Sequence, residues 1–99
     1  MNYEFATTDE ILGEIGQRVR RERLNQNLKM ATVAERAGIS GIVLNHLENG
    51  KGCTLANLIR VLRVLGKLEQ IDVLLPEPPL SPIQLAKMRG KIRQKASEK

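Results

Sequence analysis

The stretch LKMATVAERAGISGIVLNHLENG, residues 28–50, decides the fold. Its first part sets Val33, Ala34 and Ala37 at the spacing of a helix with one inward face. Gly38 stops that helix, because a C-terminal turn needs the left-handed conformation that glycine adopts without steric cost. Ser40 is a good N-cap for a further helix running to about Leu47, and Asn49-Gly50-Lys51-Gly52 breaks the chain again. Two short helices therefore meet across a turn of a few residues. Ala34 is small where they cross closely, since a larger side chain would force them apart. Ile39, Leu44 and Leu47 anchor the second of them on the core and leave its opposite face free.

Working outward, Thr7-Thr8-Asp9-Glu10 has the form of a capping box, with Thr7 as N-cap and Glu10 three residues on. Ile11, Leu12, Ile15, Val19 and Leu24 then share one helical face, while Arg18, Arg20 and Arg21 point largely elsewhere. Asn25-Gln26-Asn27 ends this first helix, and the second is expected over Leu28–Ala37. Beyond the central pair, Thr54 caps a fourth helix carrying Leu55, Leu58, Ile59, Leu62 and Leu65. Gly66 interrupts it, and a shorter fifth helix is expected over about Leu68–Leu74. Pro76-Glu77-Pro78-Pro79 ends regular helix and begins an extended linker. Ser81-Pro82-Ile83-Gln84 again has the form of a helix start, with Leu85, Met88 and Ile92 as a stripe beside Lys87, Lys91 and Lys95. Gly90 weakens that tail helix, which is expected to depend on a partner. The resulting organisation is an N-terminal arm over 1–7, an all-α five-helix domain over 8–75, and a Pro-rich linker with a basic tail over 76–99.

Composition agrees with helices packed on helices. Aromatic content is 2%, contributed by Tyr3 and Phe5, so the core must be aliphatic. Cys53 has no second cysteine to pair with, and His46 alone cannot complete a zinc site with it. No cofactor or metal is expected. No segment is apolar over a length that spans a bilayer or serves as a signal peptide, and the simplest compartment is the reducing cytoplasm. The net charge of +5 is uneven, with +1 over residues 1–75 and +4 over 76–99. A basic total suits a polyanion such as DNA, although most of the excess lies in the tail.

Ala34-Glu35-Arg36-Ala37-Gly38-Ile39-Ser40 and the closing Leu47-Glu48-Asn49-Gly50, with Arg23 and the Leu55–Leu65 helix, resemble the Cro and phage-repressor (XRE-type) helix-turn-helix family over roughly residues 11–75. The resemblance implies a third helix in the major groove of double-stranded DNA, with Gly41, Ile42, Asn45 and His46 facing bases. It implies phosphate contacts from Ser40, from Lys29 and Met30 at the start of the second helix, and from Asn49 and Lys51. Arg23 and Glu48 match positions that form a buried ion pair between the first and third helices. The chain departs from its relatives at two places. Lys29-Met30 stands where many carry Thr-Gln, and Gly41-Ile42 stands where many carry Arg, Lys or Gln. Asn45 and His46 are then the hydrogen-bonding base readers, and Ile42 has at most a thymine methyl to pack on.

The expected protein is a sequence-specific transcriptional regulator, a repressor, working as a homodimer on a pseudo-palindromic operator. Leu68, Ile71 and Leu74 are the candidate seam, with Val61 or Val64 if exposed. Within the family the single domain and distinctive tail resemble either an operon-type repressor or the autoregulating antitoxin of a toxin–antitoxin pair, including those paired with HipA-type kinases. Residues 76–99 would then hold the toxin. A rival reading from another class is a protein-interaction module that keeps the fold and has lost base readout, favoured by Met30, Gly41 and Ile42. An enzyme is not expected. The pairs Glu10/Glu14 and Glu69/Asp72 come with no nucleophile, phosphate loop or ligand cluster, and such pairs are usually a solvated helix face.

Overall fold

A computed structural model describes residues 1–78 and Ile83. Its elements are α1 (Thr8–Asn25), α2 (Met30–Ala37), α3 (Gly41–Glu48), α4 (Leu55–Val64), a 3-10 turn at Leu68–Gln70 and α5 (Ile71–Leu74). The described residues are all-helical, with no strand among them. The proposed tail helix from Ser81 onward lies outside the described residues.

Three of the four helices in the body begin with a hydroxyl cap. Thr7 accepts the Glu10 N–H at 3.1 Å while Glu10 accepts the Thr7 N–H at 3.3 Å, completing the capping box. Ser40 and Thr54 each accept an N–H three residues on, from Val43 and Asn57, both at 3.1 Å. All four end alike. A residue with positive φ follows each helix: Asn27, Gly38, Gly50 and Gly66. The next residue's N–H then reaches back five residues, as in Ile39 to Ala34 at 3.0 Å and Leu28 to Arg23 at 3.0 Å. This is the Schellman closure, which satisfies carbonyls that the helix itself leaves free.

The core is Val19, Val33, Ala34, Ala37, Leu44, Leu47, Val61 and Leu65, with Ile15, Leu28, Met30, Ile39, Cys53, Leu58 and Val64 packed on it. α1 packs on α3, and α2 packs on both α3 and α4.

Several expectations are corrected. α2 begins at Met30, two residues later than the apolar pattern suggests, because Leu28 lies outside the helix and Lys29, its N-cap, is extended. Leu28 still packs on the core, in the N′ position of a hydrophobic staple with Val33 four residues into the helix. Leu24 is 54% exposed. It lies roughly 140° around α1 from Val19, whereas Arg23 lies only about 40° away and takes the inward position. Leu55 is also exposed, roughly 120° around α4 from the buried Val61. Val61 is fully buried, so it cannot join a dimer seam. The expected fifth helix is a 3-10 turn followed by a single α-turn.

The chain divides into a unit over Met1–Glu69 and a second unit from Gln70 onward. Sequence pattern puts that boundary at Leu75. The left-handed turn at Gly66 already ends the packed helices, and Ile71, Val73, Leu74 and Leu75 are all exposed.

Candidate nucleic-acid interface

α3 has two chemically distinct sides. At about 100° per residue, Leu44, Leu47 and Glu48 fall together and are buried. Ile42 and Asn49 mark the middle of the opposite side, and Ile42 is 70% exposed. Asn45 flanks them on the side of Glu48, and His46 on the side of Val43. Both are exposed. Gly41 opens the helix, also exposed, and a Cβ there would meet nothing within 4 Å. The residues expected at bases therefore share one open face.

That face is held in place from behind by α1. Arg23 Nε and Nη2 donate to the two carboxylate oxygens of Glu48 at 2.7 and 3.0 Å, and Nη1 donates to the Leu28 carbonyl at 2.9 Å. Both side chains are buried, and no buried side-chain polar atom lacks a partner among the described residues. The fork of the guanidinium matches the carboxylate, so each charge is neutralised where water is absent. One turn before Val19, Gly16 lets the backbones touch. A Cβ on it would press against the Leu47 carbonyl and stand 2.8 Å from that of Glu48. Gly50 makes a second approach, where a Cβ would lie 2.8 Å from the Gly13 Cα.

The flanking residues differ in what they have free. Lys29 and Lys51 are exposed. Lys29 is the N-cap of α2 and has no acceptor to offer, so no side chain caps the first-turn N–H groups of that helix. Met30 is half-buried on the core, and only its backbone remains to meet a phosphate. Ser40 accepts the Val43 N–H but keeps its own hydroxyl proton. Asn49 spends one amide N–H on the Asn45 carbonyl at 2.9 Å and keeps the other.

Sequence pattern alone does not single out Arg20. Together with Arg23, Met30, Asn45, Glu48 and Asn49 it lines an open depression of about 240 Å³ beside α3. The signal available was its place three residues before Arg23, on the same flank of α1. Of the seam candidates, Leu68 is half-buried while Ile71 and Leu74 are exposed. Among the described residues no three His, Cys, Asp or Glu side chains cluster as a metal site, and no helix is long and apolar enough to cross a membrane.

No curated protein matches the chain. A helix-turn-helix family model does match residues 19–70, from the second half of α1 through the 3-10 turn after α4, and the chain belongs to this DNA-binding family, of the Cro/C1 (XRE) type.

Proposed function

We propose that the protein is a sequence-specific repressor that binds as a homodimer and lays the outer face of α3 in the major groove. The observation that carries this reading is the division of α3, with Leu44, Leu47 and Glu48 buried while Gly41, Ile42, Asn45 and His46 stand exposed together. Asn45 offers the carboxamide that pairs with adenine, His46 offers a ring nitrogen, and Ile42 packs on a C5 methyl. Lys29, the uncapped N–H groups at Met30, Ser40, Asn49 and Lys51 hold phosphates on either side. A single short helix reads few base pairs, and two copies related by a two-fold axis would set their α3 helices about 34 Å apart. The exposed Ile71 and Leu74, with Leu68, supply the apolar contact for that pairing.

The finer role we favour is the autoregulating antitoxin of a toxin–antitoxin operon, supported by the Pro-rich run and by the +4 charge over residues 76–99, a segment available for a protein partner. Selection of bound sequences from randomised duplexes, with the whole chain and with a chain ending at Leu75, tests the DNA-binding reading and whether the tail takes part in it. A two-fold motif recovered by both is the expected result, with the tail left for its partner. The exposed Ile42 at the centre of the face also favours a second reading, an apolar protein contact. Failure of both chains to enrich any motif would move that reading ahead.

A further inference from the structure

The depression beside α3 has a charge balance that defines its ligand. Three charged side chains line it, Arg20, Arg23 and Glu48. Arg23 and Glu48 neutralise each other through two hydrogen bonds, and the third Arg23 contact goes to the Leu28 carbonyl. Arg20 is exposed, and no ion pair or hydrogen bond engages its guanidinium among the described residues. The depression thus carries one uncompensated positive charge, beside the amides of Asn45 and Asn49. A phosphodiester carries one negative charge and oxygens that accept from both guanidinium and amide.

We infer that Arg20 is a phosphate-binding residue of the DNA interface, seating one backbone phosphodiester in the depression between α1, the start of α2 and α3. This rests on the DNA-binding reading of α3 and adds a contact from the first helix. Asn45 lies on the flank of α3 that faces the depression, so a phosphate held by Arg20 is a neighbour of the bases Asn45 reads. The contact sets register and adds affinity without choosing sequence.

Arg21 provides the control. It has the same charge, is exposed and is adjacent in sequence, yet it does not line the depression. Binding of the full-length chain to a random-sequence duplex and to a selected site, followed from low to moderate salt, reads the difference. One lost phosphate contact lowers the slope of log K against log salt by about 0.9. Arg20→Ala is expected to lose that amount on both duplexes, with sequence preference unchanged, and Arg20→Lys to recover most of the slope. Arg21→Ala is expected to leave it near wild type. Equal slopes for wild type and Arg20→Ala, or equal losses for the Arg20 and Arg21 variants, would overturn the assignment and leave the DNA-binding reading standing. Failure of the wild-type chain to bind either duplex would overturn both. Arg20 is exposed and unbonded, so an unchanged helical spectrum and Tm for its variants separates lost contact from lost fold.

Discussion

Two glycines one turn apart on α1 should respond to the same substitution with opposite signs. Gly13→Ala and Gly16→Ala each place a methyl group in a helix interior, where alanine is favoured over glycine by about 1 kcal/mol. At Gly13 the new Cβ meets nothing within 4 Å. The propensity gain should appear in full, and a change of 1 kcal/mol moves the Tm of a domain this size by about 4–8 °C. At Gly16 the methyl group meets two backbone carbonyls. The Glu48 oxygen, 2.8 Å away, must retreat by about 0.6 Å to reach ordinary contact at 3.4 Å, and the Leu47 oxygen by more. Backbone cannot rotate aside as a side chain does, so the cost falls at the upper end of overpacking, about 3 kcal/mol. Subtracting the propensity gain leaves a net loss of about 2 kcal/mol, or a Tm lowered by roughly 8–16 °C. Thermal unfolding followed by far-ultraviolet circular dichroism measures both. A Gly16→Ala protein as stable as wild type would refute the reasoning, because it would mean that α1 and the end of α3 do not touch through their backbones.

Three further outcomes are expected. Arg23→Met leaves the Glu48 carboxylate buried and alone, and should cost about 3–5 kcal/mol in denaturant unfolding, while the double variant with Glu48→Leu should regain most of it. Replacing thymine by uracil under Ile42 in a selected site removes one methyl group, worth about 0.8 kcal/mol or roughly a fourfold loss of affinity. The same exchange should have no effect on the Ile42→Ala protein, and an equal loss in both proteins would remove Ile42 from the base contacts. Burial raises the pKa of the Cys53 thiol, with a smaller opposing contribution from a backbone hydrogen bond at Leu58. Its thiolate fraction at neutral pH is therefore reduced, and a thiol-directed disulfide reagent should modify the native protein more slowly than the unfolded one. The native rate should keep rising with pH beyond the point where a free cysteine levels off.

Much of this arrangement was legible because the deciding signals are local. A hydroxyl three residues before a free N–H, and a glycine or asparagine where φ must turn positive, need no knowledge of the rest of the chain. They placed the caps at Thr7, Ser40 and Thr54 and the stop at Gly38. The errors came where position around a helix depends on a distant partner. Leu24 reads as core by composition, but the Arg23–Glu48 pair takes the inward line of α1 in its place. Val61 could stand at a surface seam only if exposed, but it is fully buried in the core that α4 shares with α2. Gly16 gave no sign of its role, since a glycine in a helix looks like a weakness until the carbonyls it admits are in view. Arg20 gives as little sign in the sequence for a similar reason. The depression it lines is assembled from three helices, and no stretch of sequence contains it.

The backbone contact between α1 and α3 has a consequence for how such a domain changes over time. What fixes the angle of the reading helix is on its inner side, in Gly16, the Arg23–Glu48 pair and the last turn before Gly50. The outward positions 41, 42, 45 and 46 take no part in that fixture. Exposed helix positions of this kind typically shift stability by about half a kcal/mol or less when exchanged. On the proposed reading the domain is a fixed mount with an interchangeable type-face: an operator read by these positions could be rewritten letter by letter while the frame that presents the letters stays as it is.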